Sequence, residues 1–449
     1  MEGGKEALGN KERKEEGYGW SMCINSKMLC VGIGSRLVMY DVKTLEKTKV
    51  LETSGENREL RVLDSALNGK NREDKMNSNG DILLADGNSD GITGSSRVGD
   101  SDRISDSVKI GSKNKNKSES VGAAAEEEED ENIIFENSKY DAAEGANADS
   151  SVVIRRCEFI MDSDIVSIGY FNGVCDIVNI DKNIRLDRLE GDESEIKSVS
   201  YGSNRLVFST REGSVWIWFM NEEGEWEIEE IVEYSESDVK STIWFKNKLI
   251  TTGYNDEVVI YSRWEDEICE VKWEIESIFK TESCAWDASA VEIEGTGYIA
   301  TVTQQGYLHI YSNSSANSSV NGNDLSASGN SSVNSHSDNK ADGESGGEKV
   351  FREEVSLKVS SYPVISVTNA VYNGVKCFAM VVDRRRLVLY AYGINGLCVL
   401  SERTVLTEYE EPMDIVFSEE ESAIFILSTS VSNRRKYTHI RKVLLKEMA

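Results

Sequence analysis

Apolar residues recur along much of the chain in runs of about five, rich in Val, Ile, Leu, Phe, Tyr and Trp and separated by polar turns. Runs of this length and composition predict β-strands rather than helices. Segments 194–218 and 237–261 align without a gap at a spacing of 43 residues, and each contains three such runs. A repeat of this length with about four strands is typical of a β-propeller blade.

Five further copies follow the same pattern, within residues 20–40, 154–178, 284–311, 364–390 and 412–445. Two polar stretches separate some of them. Residues 52–151 are rich in Asn, Ser, Gly, Asp and Lys and include the acidic block Glu126–Glu131, and residues 313–349 are mostly Ser, Asn, Gly and Asp. Such composition buries too little apolar surface to offset chain entropy, so it predicts disordered insertions.

The sequence therefore predicts an all-β chain, a seven-bladed WD40-like β-propeller with two disordered acidic or Asn/Ser-rich insertions. The expected organisation is an N-terminal closing strand and blade 1 at 1–51, an insertion at 52–151, blades 2–5 at 152–312, an insertion at 313–349, and blades 6–7 at 350–449. A strand within 11–18 is expected to complete blade 7, because an open sheet edge invites aggregation.

Composition narrows the classes of function. The net charge of -29 disfavours nucleic-acid binding, and three histidines leave little material for a metal site or a catalytic triad. No apolar run reaches the ~20 residues of a membrane span. The eight cysteines are scattered with no C-x-x-C pair, which predicts buried thiols in a reducing compartment, with a metal or cluster site from distant cysteines as the alternative. With no Gly-rich phosphate loop and no G-x-S-x-G motif, we expect neither catalysis nor a cofactor.

Alignment of the repeats indicates one candidate site. Lys197, Lys240 and Trp286 occupy equivalent positions at the start of an inner strand, whereas Arg211 and Tyr254 occupy equivalent turns after the second strand. In a propeller both positions face the rim of the central channel. The candidate partner-binding residues are Arg211, Lys197, Lys240, Tyr254, Trp286 and Arg155. Such a basic, aromatic-flanked rim would capture an acidic or carboxylate-ended segment, unless these residues are solvated bystanders.

The usual marks of WD40 blades are weak in this chain. Gly191-Asp192 stands where Gly-His is common, and no blade ends in Trp-Asp. We therefore expect the packing of Val, Ile and Trp, rather than hydrogen-bonded His–Asp networks, to hold the blades together. We also expect Lys and Arg around the channel, instead of the carboxylates and histidines with which propeller hydrolases bind a metal.

Three landmarks resemble a known family. They are Glu193-Ser-Glu-Ile-Lys-Ser-Val199 with Thr210-Arg-Glu-Gly-Ser-Val-Trp-Ile-Trp218, then Ser237-Asp-Val-Lys-Ser-Thr-Ile-Trp244 with Gly253-Tyr-Asn-Asp-Glu-Val-Val-Ile-Tyr261, and then Glu282-Ser-Cys-Ala-Trp286. In order and spacing they are similar to blades three to five of the WD40 subunit of the cytosolic iron–sulfur cluster assembly (CIA) targeting complex. The chain departs from that family at Glu212-Gly213, where Asp-Lys is typical, and at Ser262, which interrupts an L-Y-R-like sequence.

The resemblance implies a non-catalytic scaffold that helps deliver Fe–S clusters to cytosolic and nuclear apoproteins. Its partners would be a MIP18-type subunit, a hydrogenase-like cluster carrier and the apoprotein clients, and its location cytoplasmic and also nuclear. Arg211 corresponds to an exposed arginine of the family. The alternatives are a WD40 scaffold of another intracellular complex, in ribosome biogenesis or chromatin, and more distantly a propeller hydrolase.

Overall fold

The computed structural model describes residues 11–53, 60–65, 153–233, 235–265, 271–313, 350–393 and 396–448. The apolar runs form antiparallel strands, grouped in seven sheets with consecutive strands as neighbours. This arrangement confirms the predicted seven-bladed WD40-like propeller. In the described part of the chain, no helix is long and apolar enough to cross a membrane.

Each blade is a meander in which the first strand is innermost and the last is outermost. Blade 1 comprises β2 Gly19–Ile24, β3 Met28–Ile33, β4 Arg36–Asp41, β5 Lys47–Glu52 and β6 Arg61–Ser65. Blade 2 comprises β7 Ile154–Phe159, β8 Ile165–Tyr170, β9 Val174–Asn179 and β10 Ile184–Glu190. Blade 3 comprises β11 Ile196–Gly202, β12 Arg205–Thr210, β13 Ser214–Met220 and β14 Trp226–Glu233. Blade 4 comprises β15 Val239–Phe245, β16 Lys248–Gly253, β17 Glu257–Glu265 and β18 Val271–Lys280.

The remaining blades follow the same order. Blade 5 comprises β19 Ala285–Ile293, β20 Thr296–Thr303, β21 Tyr307–Ser312 and β22 Arg352–Lys358. Blade 6 comprises β23 Val367–Tyr372, β24 Val375–Val382, β25 Arg386–Gly393 and β26 Gly396–Thr404. Blade 7 comprises β27 Glu410–Ser418, β28 Ala423–Ser432, β29 Arg435–Leu444 and, as its outermost strand, β1 Lys11–Glu16, and a short 3-10 turn follows at Leu445–Glu447.

The ring is closed. Each innermost strand contacts the innermost strand of the next blade, and β27 of blade 7 contacts β2 of blade 1. β1 pairs with β29 from Lys11 opposite Lys442 to Glu16 opposite Tyr437. Strands from both ends of the described chain therefore share one sheet, which gives blade 7 its fourth strand and leaves no unpaired edge on β29.

The hydrophobic core is divided into seven clusters, each between two neighbouring blades. Alternate side chains of a strand point to opposite faces of its sheet, so every blade contributes to two clusters. Tyr40, Tyr261 and Tyr311 occupy equivalent positions near the end of a third strand, and all three are at most 2% exposed. Burial of one such side chain contributes roughly 2–3 kcal/mol.

The structure departs from the predicted blade 1. Strand β6 (Arg61–Ser65) pairs with β5 and gives this blade five strands, although the predicted insertion began at residue 52. Val62 of β6 stands opposite Leu51 of β5, so an apolar pair supports this extra strand. Most of the two predicted insertions lies outside the described residues.

The expectation that packing alone holds the blades together is wrong. In blade 3, the Asp192 carboxylate accepts hydrogen bonds from Thr210 (2.8 Å) and Ser214, and Ser214 accepts one from the Trp216 indole (3.0 Å). In blade 5, His309 lies between Glu282 (2.7 Å) and Glu353 (2.8 Å). A carboxylate in the loop before the first strand replaces the usual histidine, so that a polar network persists with different residue types.

Candidate functional site

A β-bulge recurs at the start of six innermost strands. The pairing register shifts by one residue at the second position of β2, β7, β11, β15 and β19, and at an equivalent position of β27. The extra residue is left out of the ladder, and its side chain is turned to a new direction. We call these six residues the bulge row: Trp20, Arg155, Lys197, Lys240, Trp286 and Met413.

The turns between second and third strands meet the bulge row at the same end of the ring. The backbone N–H of Arg211 donates to the carbonyl oxygen of Glu195, and that of Tyr254 to the carbonyl of Asp238. Gly213 fixes the first of these turns, because its φ is +92° and an added Cβ would overlap the carbonyl oxygen of Ser235. The turn therefore holds Arg211 above the inner strands, where 63% of its side chain stays exposed.

Glu195 is the first of two carboxylates that organise this end of the ring. It accepts hydrogen bonds from Arg155 Nε (2.7 Å) and Lys197 Nζ (2.6 Å), and Arg211 Nη1 lies 3.6 Å from it. Arg155 and Lys197 have side chains that are 10% and 6% exposed, so both pairs are almost fully removed from solvent. Glu195 thus binds three of the predicted cations together.

Asp238 is the second carboxylate. It lies 3.2 Å from Lys197 Nζ and 3.1 Å from Lys240 Nζ, and so links neighbouring blades. Lys240 Nζ also lies 4.1 Å from the ring centroid of Tyr254 and 4.8 Å from that of Trp286. These distances correspond to cation–π contacts.

Trp20 forms the other end of the arrangement. Its ring lies 4.5 Å from the Arg155 guanidinium and 5.7 Å from the ring of Phe171, which occupies the turn equivalent to that of Arg211. We call the assembled group the mouth cluster: Trp20, Arg155, Glu195, Lys197, Arg211, Asp238, Lys240, Tyr254 and Trp286. Aromatic rings flank a continuous chain of charges across five blades.

Burial changes the acidity of these groups. Desolvation, followed by the charge of Lys197, lowers the pKa of Lys240 to about 8, and the charge of Asp238 opposes this only in part. The pKa of Lys197 is also lowered, first by burial and then by Arg155, against the opposing charge of Glu195. Burial alone would raise the pKa of Glu195, but the charges and hydrogen bonds of Arg155 and Lys197 hold it below its ordinary value. The cations are therefore held at a free-energy cost.

The mouth cluster carries more positive than negative charge. Four cations, three of them buried, face two carboxylates. Among the described residues, no carboxylate besides Glu195 and Asp238 lies within the ion-pair distance of 4.0 Å from these four cations. Such a site can accept an anionic group of a partner through charge-assisted hydrogen bonds, next to aromatic surface.

The centre of the ring differs from the expectation. Asp414 accepts hydrogen bonds from the Met22 N–H (2.8 Å) and Ser366 (3.2 Å) and lies 3.7 Å from Arg156, so it contacts three other blades. Asp287 accepts bonds from Ser241 (2.8 Å) and Ser366 (2.9 Å). Carboxylates, and not only Lys and Arg, line the axis.

Burial raises the pKa of these central carboxylates. For Glu158, in the second blade, burial and then the charge of Asp414 raise the pKa to about 8, against the opposing effect of Arg156. Burial is also the main cause that raises the pKa values of Asp287 and Asp414. Across the described ranges, no group of three or more His, Cys, Asp or Glu is arranged to hold a metal ion. Asp287 and Asp414 instead accept hydrogen bonds from backbone N–H and hydroxyl groups of neighbouring blades.

Six of the seven described cysteines are buried, and Cys398 on β26 is exposed, unlike the predicted buried thiols. Cys23, Cys30 and Cys157 are brought together between blades 1 and 2, although the sequence shows no close spacing. Burial, followed by the neighbouring thiols, raises the pKa of Cys23 well above its ordinary value. A protonated, enclosed thiol is a poor nucleophile and a poor metal ligand. Cys269 lies outside the described residues.

The structure brings all six sequence-predicted site residues into the mouth cluster. Arg155, Lys197 and Lys240 are buried and paired, so they are not solvated bystanders. Sequence reasoning missed Glu195, Asp238 and Trp20. A signal existed for the two acids, because each stands two residues before a lysine in aligned repeats, as Glu-Ile-Lys and Asp-Val-Lys.

Part of the chain is similar to an iron–sulfur assembly protein. The Botryotinia fuckeliana (strain B05.10) protein named "Probable cytosolic iron-sulfur protein assembly protein 1" is 31% identical over 119 residues, a match that covers 21% of this chain. The match spans 27% of the length of that relative. No protein-family model matches the chain.

The fold has a solved counterpart over most of its length. A chain in the crystal structure of the mitotic checkpoint complex superimposes with a TM-score of 0.53 and 9% sequence identity, over 96% of this chain and 91% of the other. At this identity the likeness concerns the fold alone.

Proposed function

We propose that this chain is a non-catalytic docking subunit of the cytosolic iron–sulfur protein assembly machinery. The observation that carries the proposal is the mouth cluster, in which Arg211 stands exposed above buried, paired cations. The resemblance of blades three to five to the CIA subunit and the partial similarity to the Botryotinia protein support this choice over other propeller scaffolds.

The chemistry of the mouth cluster suits an acidic or carboxylate-ended protein segment. Arg211 presents a planar guanidinium that can bind a carboxylate through two hydrogen bonds. Tyr254, which is 40% exposed, and Trp286 offer aromatic surface at the same end of the ring, and their ring centroids lie 6.3 Å apart. Lys197 and Lys240 contribute charge from below, because both side chains are buried.

The proposed partners are a MIP18-type subunit, a hydrogenase-like cluster carrier and Fe–S apoprotein clients in the cytoplasm and nucleus. Arg155, Lys197 and Lys240 would set the local charge, and Arg211, Tyr254 and Trp286 would contact the partner. The chain would act by binding, and the cluster itself would be carried by the partner.

Affinity purification of the full chain tests the proposal. We expect iron–sulfur assembly proteins to co-purify with the wild type and to be lost with Arg211→Glu, whose binding should weaken by about 2 kcal/mol, or roughly 30-fold. Thermal stability should be nearly unchanged, because the side chain is 63% exposed.

Arg61→Glu is the matched control. Arg61 is 78% exposed and lies 3.7 Å from Glu52, an ion pair like that of Arg211 with Glu195, but on the outermost strand of blade 1. This variant should retain its partners. Recovery of ribosomal or histone complexes without iron–sulfur assembly proteins would defeat the proposal, and an unaltered pull-down with Arg211→Glu would remove this arginine from the site.

A further inference from the structure

A second basic surface lies on blades 6 and 7, outside the mouth cluster. We call it the blade 6–7 patch: Arg384, Arg385, Tyr409, Val431, Arg434 and Arg435, all of them exposed. Tyr409 and Val431 are 75% and 67% exposed, the largest exposed fractions among the large hydrophobic side chains of the described residues. Four arginines therefore surround two unusually exposed apolar side chains.

Backbone contacts join the parts of this patch. The carbonyl oxygen of Arg385, in the turn between β24 and β25, accepts hydrogen bonds from the N–H groups of Val405 (2.8 Å) and Leu406 (3.2 Å). The Arg385 guanidinium lies 3.9 Å from Glu408, next to Tyr409. The turn of blade 6 therefore contacts the loop that leads into blade 7.

The pairing of blade 7 continues the surface. Glu410 on β27 stands opposite Ser430 on β28, so Tyr409 and Val431 are the next positions on these two segments. The hairpin from β28 to β29 then turns at Asn433 and Arg434. The two apolar side chains thus lie between the arginine-bearing turns of blades 6 and 7.

Two of these arginines have a positive φ, as do twelve other non-glycine residues of the described chain. Arg384 has a φ of +61° and Arg434 a φ of +64°, in the left-handed region that favours glycine or asparagine. A long side chain at such a position costs stability, and strained residues concentrate at binding sites. The turns would be better formed with glycine, so turn stability does not explain arginine at either position.

The charges of the patch are only partly balanced. Arg385 pairs with Glu408, and Arg435 lies 3.5 Å from Glu16, but no described carboxylate pairs with Arg384 or Arg434. Arg384 lies over the ring of Tyr362 at 4.5 Å. A stacked guanidinium keeps its N–H donors at the edge available to a second group.

We propose that the blade 6–7 patch binds a short acidic segment of a partner protein, with its carboxylates on Arg384 and Arg434 and an apolar side chain on Tyr409 and Val431. This inference does not rest on the proposed function, because it concerns other residues. A nucleic acid fits less well, since it carries a phosphate at each nucleotide and only a few of these could lie on the patch, on a chain whose net charge is -29.

The test uses a fluorescein-labelled octapeptide with two Glu residues flanking one Leu and Gly or Ser elsewhere, titrated with the full chain by fluorescence anisotropy. The variant is Arg384→Gly combined with Arg434→Gly, which removes both charges and suits the positive φ, so that folding is preserved. We expect the Kd to rise at least about tenfold and the melting temperature to stay the same or rise. Both proteins compared carry Arg211→Glu, so that the mouth cluster contributes little, and the control Arg61→Ala, on the outermost strand of blade 1, should change the Kd by no more than about twofold.

Several results would overturn the inference. The double glycine variant could bind the peptide like its parent protein, or the Arg61→Ala control could weaken binding as much as the double variant does. A labelled twelve-nucleotide RNA that binds more tightly than the peptide would also contradict it. The inference is also contradicted if the double glycine variant changes only the self-association of the chain, measured by sedimentation velocity. Failure of this test leaves the co-purification test of Arg211 unaffected, and the reverse also holds.

Discussion

Replacing Lys240 by Met should stabilise the protein. Lys240 belongs to the bulge row, and Met413 occupies the equivalent position in blade 7, so the bulge itself accepts a methionine. The lysine is buried, and its pKa is lowered to about 8 mainly by desolvation. Its charged form is therefore less favourable in the folded protein than in the unfolded chain.

The structure allows an estimate of the effect. A fall of the pKa from 10.5 to about 8 corresponds to about 3 kcal/mol at pH 7. The variant loses the cation–π contacts with Tyr254 and Trp286, which contribute about 1–2 kcal/mol. Asp238 keeps Lys197 at 3.2 Å as a partner. We expect a net stabilisation of about 1–2 kcal/mol, or about 2–3 °C in melting temperature for roughly 300 folded residues.

The assay is thermal unfolding by circular dichroism between pH 6 and pH 10.5, with urea titration at pH 7. Below pH 8 the lysine is charged in both states, so its full cost is present. Between pH 8 and 10.5 the folded state loses the proton while the unfolded chain keeps it, and the wild type gains stability. The gap between Lys240→Met and the wild type should therefore narrow as the pH rises.

Lys246→Met is the matched control, because Lys246 is 53% exposed in the same blade and lies 2.7 Å from Glu292. Its effect should stay within about 0.5 kcal/mol at every pH. A Lys240→Met variant that is less stable than the wild type at pH 7, or a gap that does not change with pH, would refute the reasoning. In that case the mouth cluster would stabilise the fold rather than cost it free energy.

Two further predictions concern carboxylates. Glu195→Gln should lower the free energy of unfolding, measured by urea titration, by about 3 kcal/mol, because it leaves Arg155 and Lys197 buried without their main counter-charge. The control Glu193→Gln, at an exposed position, should change this free energy little. Asp414→Ala should cost about 2 kcal/mol and speed hydrogen exchange of the Met22 amide, because that N–H loses its acceptor between blades 7 and 1, and an unchanged exchange rate would contradict this role.

The sequence carried enough information for the fold. Segments of strands and turns repeat at a spacing of 43 residues, so equivalent positions such as Lys197 and Lys240 can be aligned from the sequence alone. Because equivalent positions of a propeller lie on one circle, the alignment also placed the candidate residues together. The register of each strand follows from alternating apolar residues, which the burial of the whole of β16 obscures only in part.

Other features needed three dimensions. A β-bulge is not visible in a sequence, so the burial of Lys197 and its pairing with Glu195 could not be derived from alternation alone. The meeting of Asp414 with Met22 depends on ring closure between positions 392 residues apart. Strand β6 follows a polar segment whose composition resembles that of an insertion. Residues 61–65 nevertheless form a strand because they pair with β5.

The repeats themselves provide the control for the function of the mouth cluster. At the same bulge, blades 1, 5 and 7 carry Trp20, Trp286 and Met413, so the fold requires no cation there. Blades 2, 3 and 4 carry buried Arg155, Lys197 and Lys240 instead, with two carboxylates for three buried charges. These buried charges cost free energy at positions where an apolar residue would serve the fold, so folding alone does not explain them. The proposed binding of an anionic partner segment would explain them, since the missing negative charge would then come from the partner.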